Sequence, residues 1–87
     1  MKDTELLTKL LAECEARLSK NPSFRPLNIV KEEVGYLLAL IDRKTQDRGN
    51  LKNIQIGLLA VREFEADNPQ FAYLIFQAAD IVKKLQV

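Results

Sequence analysis

The side chains in this sequence that could carry chemistry are three close carboxylate pairs, Glu13/Glu15, Glu32/Glu33 and Glu63/Glu65, and one thiol, Cys14. A carboxylate pair can divide the roles of general acid and base, and a thiolate is a nucleophile. Neither has the company that such chemistry requires. The chain contains no histidine, which removes Ser/His and Cys/His nucleophile pairs and the usual zinc ligand set. It has no Gly-rich loop to cradle a phosphate. The carboxylate pairs therefore read as solvated helix faces. Cys14 falls on an apolar helical stripe and reads as a small buried hydrophobe. The sequence predicts no enzyme, no bound metal and no cofactor.

Charge excludes further classes. Thirteen basic and twelve acidic residues give a net charge of +1, and no helix carries the row of Lys and Arg that phosphate contacts need, so nucleic acid is not an expected partner. The distribution is uneven. Arg43, Lys44, Arg48 and Lys52 stand against Asp47 alone, whereas Glu63, Glu65 and Asp67 stand close together further along the chain. No apolar run reaches the roughly 18 residues of a membrane span. Charges interrupt the first residues where a signal peptide would be continuously apolar. The expectation is a cytoplasmic protein with no membrane partner.

The elements that position these side chains follow from periodicity. With 87 residues, 47% of them apolar and 29% charged, the chain reads as one globular domain over 1–87. Leu6, Leu7, Leu10, Leu11, Cys14 and Leu18 repeat at helical spacing over 4–19, with Asp3 or Thr4 as the cap and Pro22 beyond the end. Pro26 opens a second helix, to about residue 44, whose main stripe is Leu27, Val30, Val34, Leu37, Leu38 and Ile41. Ile29, Tyr36 and Leu40 make a narrower stripe beside it. Residues 45–50 are polar, Gly49 suiting a left-handed turn and Asn50 a cap.

Residues 51–66 predict a third helix that is apolar over more than half its circumference. Ala60, Phe64, Gly57, Val61, Ile54, Leu58 and Leu51 fall in one arc that Ile56 widens, so this helix is expected at the centre, touched from two or more sides. Gly57 and Ala60 in that arc suggest the close approach of another helix. Asn68-Pro69 then caps and opens a fourth helix, 69–86, with Phe71, Leu74, Ile75, Ala78, Ile81, Val82 and Leu85 inward. The expected fold is all-α, a single small four-helix bundle with a central, broadly apolar third helix.

Some apolar residues lie off these stripes. Tyr73 and Phe76 fall nearly opposite the fourth helix's core face, beside Gln77, Asp80 and Lys84, and Leu59 sits among Gln55, Lys52, Arg62 and Glu63. An aromatic pair one turn apart with a charged rim has the composition of a protein-binding hot spot. Coverage by the bundle itself is the competing reading.

Asp42-Arg43, Asp47-Arg48, then Gly57 with Ala60-Val61-Arg62-Glu63-Phe64-Glu65 and Asp67-Asn68-Pro69-Gln70 resemble a family of known proteins. It is the family of small helical immunity proteins that protect bacteria from type VI secretion effectors, in particular those that neutralise NAD(P)-glycohydrolase effectors. The resemblance spans about residues 21–82, with a single-residue gap before the third helix, and its most specific part is Ala-Val-Arg-Glu-Phe-Glu. Residues 71–87 depart most from the family pattern. The resemblance implies a cytoplasmic inhibitor that binds a cognate toxin domain and blocks its NAD-cleaving site, while leaving the particular toxin open. A cleft that takes a pyrophosphate is electropositive, so Glu63, Glu65 and Asp67 could face it. Leu59, Glu63, Glu65, Asp67, Tyr73, Phe76 and Asp80 are thus the candidate partner-binding residues. A homodimeric helical adaptor is the alternative function.

Overall fold

The computed structural model describes residues 2–44, 48–49 and 51–86. Helix α1 runs over Lys2–Lys20 and places Asp3 and Glu5 in its first turn and Arg17 and Lys20 in its last, each sign favourable to the helix dipole. Asp3 and Thr4 are thus inside the helix and do not cap it. Helix α2 runs over Arg25–Ile41 with Pro26 in the first turn. Asn28 ties the connection to it, its Nδ2 donating to the carbonyls of Pro22 and Phe24 at 3.1 and 3.2 Å.

Helix α2 stops three residues before the expected end, and the hydrogen bonds show why. Lys44 N–H reaches back to the Ala39 carbonyl at 2.8 Å and Arg43 N–H to the Leu40 carbonyl at 3.2 Å. That pairing is the Schellman closure, which requires a left-handed residue. Arg43 supplies it with φ 60°, and no glycine among the described residues has a positive φ. The expected cap at Asn50 lies outside the described residues.

The third segment is not one helix from residue 51. A 3-10 turn, Leu51–Asn53, is followed by a break, then by α3, Ile56–Leu59, which continues as a π turn over Ala60–Phe64. The π turn is closed by Glu65 N–H donating to the Ala60 carbonyl at 2.8 Å. Helix α4 covers Pro69–Gln86, and Arg48 donates to the Leu85 carbonyl at 2.9 Å near its end, where a cation is favoured.

Among the described residues all regular structure is helical, and the four segments enclose one core. Leu7, Leu10 and Cys14 of α1, Val30, Val34 and Leu37 of α2, Ile56 and Ala60 of the third segment, and Ile75 and Ala78 of α4 are fully buried. The all-α bundle is as the periodicity predicts, and Cys14 is the small buried hydrophobe it reads as. The third segment does touch two neighbours, α2 and α4, but α1 packs on those same two helices. The segments therefore form a ring around the core and none stands at its centre. The expected apolar arc also shrinks. Because the helix starts at Ile56, Leu51 and Ile54 no longer share its wheel, and the inward face centres on Ile56, Ala60 and Phe64. Leu58 and Val61 are left 54% and 53% exposed.

One carboxylate of the predicted pairs has a structural task. Glu33 on α2 accepts the Gln55 N–H at 2.9 Å, and the Ile56 N–H also bonds to it, so α2 caps α3 in place of a local side chain. Burial raises the Glu33 pKa above its ordinary value; the two backbone N–H bonds oppose this and neighbouring Glu32 adds to it. A raised carboxyl pKa means that the folded chain holds the proton more tightly than the unfolded one. The Glu33 contribution is therefore most favourable below the ordinary carboxylate range and is lost as pH rises through the folded pKa. Glu33→Gln keeps an acceptor without the buried charge, and at neutral pH it is expected to melt at or above the parent temperature, the advantage shrinking as pH falls. Glu33→Ala removes the cap and is expected to cost about 1 kcal/mol in chemical denaturation.

Candidate partner-binding surfaces

The end of the bundle where α1 and α2 meet is joined to the start of α4 by a chain of ring contacts. Phe64 meets Phe24 edge-on at 6.1 Å and Phe71 edge-on at 5.0 Å between centroids, geometries that add to the area these rings bury. The Arg17 guanidinium lies 4.3 Å from the centroid of Phe71. Glu13 stands 3.7 Å from Arg17 one turn back along α1.

Asn68 completes this arrangement. Its amide oxygen could face the Phe71 N–H at 3.4 Å or, turned over, both terminal nitrogens of Arg17 at 2.6 and 3.0 Å. The second orientation is favoured, because the first sets an NH₂ group against guanidinium donors, and a charge-assisted fork outweighs one long neutral bond. The first turn of α4 is then closed by the backbone, Ala72 N–H to the Asn68 carbonyl at 3.0 Å. Arg17 is a residue that sequence reading passes over. A single arginine on an amphipathic helix looks solvated, and nothing local announces that its partners lie at the start of α4.

Beside this network a groove of about 590 Å³ runs between α1 and α4, with Lys9, Arg17, Gln70, Tyr73, Leu74 and Gln77 among its lining residues. Tyr73 is 64% exposed, as its position opposite the core stripe predicts. Phe76 is not its equal, since it is half-buried and packs against the core. It stands three residues before Ala79, which lies where a Cβ on Gly57 would touch at 3.5 Å. Leu59 is corrected in the same way: it is half-buried against the core and not an isolated surface residue. Asp80 is exposed on the outer side of α4, and Glu63, Glu65 and Asp67 are exposed around the turn before it. Of the predicted set, the structure therefore leaves Tyr73, Asp80 and the three acids free for a partner, with Phe76 at the margin. Among the described residues the large aliphatic side chains left exposed are instead Leu58 and Val61, which the helical wheel assigns to the core.

The chemistry available is that of a binding surface. Burial pushes the Cys14 thiol up to about 11, which keeps it protonated and inert. Among the described residues no cluster of three His, Cys, Asp or Glu side chains could hold a metal ion, and no helix is long and apolar enough to cross a membrane.

Comparison with known proteins bears out the resemblance read from residues 42–70. The chain is 25% identical over 72 residues to the immune protein Tsi6 of Pseudomonas aeruginosa, a match covering 83% of this chain and 77% of that protein. The solved structure of Tsi6 from Pseudomonas aeruginosa superposes with a TM-score of 0.87 at 23% identity, covering 94% of this chain and 85% of that one. A structure of Tse6 in complex with Tsi6 gives a TM-score of 0.92 at 22% identity, over 99% and 92% of the two chains. These structures share the fold. The family model described as Tsi6 matches residues 2–84, and the chain belongs to the Tsi6 family.

Proposed function

We propose that this chain is an immunity protein that binds and inhibits a cognate secreted antibacterial toxin in the cytoplasm. The toxin is an NAD(P)-glycohydrolase or a related NAD-consuming domain, and inhibition works by occluding its active site. The observation that carries this reading is the family match over residues 2–84, in a family where one relative is named an immune protein and a solved structure holds Tsi6 together with Tse6. As a member of that family the chain is not an enzyme. Its surface supports the reading, since an immunity protein needs a rigid scaffold with exposed anchors and no chemistry of its own. Tyr73 and Asp80 on α4, with Phe76 at their edge, and the acids Glu63, Glu65 and Asp67 supply such groups. Leu59, half-buried against the core, is the remaining member of the candidate set. Neither nucleic acid nor a membrane enters the mechanism.

The test is co-expression of a Tse6-type toxin domain with and without this chain. Cells carrying both are expected to grow and to keep their NAD, whereas cells carrying the toxin alone lose both. Equal killing in the two cultures would refute the function. A homodimeric adaptor, the other role open to a small helical bundle, would instead double the mass measured by light scattering and leave the toxin unaffected.

A further inference from the structure

The π turn decides which residues of the third segment meet water. π turns interrupt regular helix and are frequent at functional sites. This one buries Ala60 and Phe64 and leaves Val61 exposed, one turn after Leu58, which is exposed in α3. Single exposed aliphatic residues are ordinary, so position has to decide the matter. Gly57 lies against Ala79, and the two segments run antiparallel through the turn at residues 65–68. That register sets Val61 level with the stretch of α4 around Ile75 and Phe76. The exposed Val61 and the half-buried Phe76 thus stand at one level on neighbouring segments, while Tyr73 lines the groove on the α1 side of α4. The charges beyond Val61 are one-sided: Glu63, Glu65 and Asp67 are exposed, with Arg62 the one base beside them.

We infer that the π-turn face, with Leu58 and Val61 at its centre and Phe76 at its edge, is the surface that holds the toxin. The occupant is a basic protein surface with an apolar centre. This inference rests on the toxin-binding reading and says where that binding takes place. A patch whose centre is aliphatic, with acids gathered on one side of it, complements a protein surface that is apolar in the middle and electropositive on the matching side. An electropositive rim is what a site for a dinucleotide pyrophosphate presents.

The experiment uses the purified full chain and the Tse6-type toxin domain from the same genome, in calorimetric titrations at low and high salt with thermal melts in parallel. Leu58→Gln combined with Val61→Gln is expected to melt like the parent, because both side chains are already exposed, and to bind about a hundredfold more weakly. Glu65→Lys combined with Asp67→Lys is expected to slow association and reduce its sensitivity to salt. If the Leu58/Val61 variant binds within about threefold of the parent, well inside the range of hot-spot losses, this surface is wrong although the function stands. If the parent itself does not bind, the function fails and the surface with it.

Discussion

Replacing Phe71 with alanine is expected to cost about 3–5 kcal/mol, a large part of the stability that a domain of this size possesses. Phe71 is 1% exposed. Its edge-on partner is Phe64 at 5.0 Å, and it forms the floor beneath the Arg17 guanidinium at 4.3 Å. Truncation leaves a cavity in the core and also strips Arg17 of the ring that covers it. The Nε atom of Arg17 is buried without a hydrogen-bond partner, so water entering the cavity would compete for the whole side chain. Tyr73 lies two residues further along the same helix and is exposed, and Tyr73→Ala is expected to change stability by no more than about 0.5 kcal/mol. Urea denaturation of both variants checks the pair. A Phe71→Ala midpoint equal to that of the parent would show that the ring chain does not hold the start of α4 in place.

Gly57 should give opposite signs for two substitutions. A Cβ there would lie 3.5 Å from the Ala79 Cβ, an ordinary van der Waals contact. Gly57→Ala therefore meets no obstacle and removes a glycine from the first turn of α3, a gain smaller than the ~1 kcal/mol of a helix interior. A leucine must push its remaining carbons into α4, and overpacking of that kind costs about 1–3 kcal/mol. Thermal melts should rank alanine at or above the parent and leucine below it. A leucine variant that melts like the parent would mean that the third segment does not approach α4 as closely as the structure has it.

Gly57 illustrates what the sequence makes legible. Small residues on an apolar face announce close packing, and heptad-like stripes announce α1 and α4, because both signals are local and depend on one regular period. The third segment defeats that logic. A wheel drawn at constant pitch from Leu51 assumes a helix that in fact begins at Ile56 and widens at Ala60, so Leu58 and Val61 were counted as core and the exposed face was missed. The end of α2 was misplaced for a related reason, since Arg43 takes a left-handed conformation that its residue type does not advertise. Arg17 and Glu33 were unreadable because their partners, Asn68 and the backbone at Gln55, are brought to them only by the tertiary fold. Tyr73 is exposed as expected because it stands opposite the clear stripe of α4, again a local property, and the acids at 63, 65 and 67 are exposed as charged residues ordinarily are.

The measurement that tests the account most directly is the NAD-cleaving activity of the purified Tse6-type toxin domain, titrated with this chain. The account predicts that turnover falls in proportion to the amount added and is extinguished at one chain per toxin. Undiminished turnover in the presence of excess chain would contradict it.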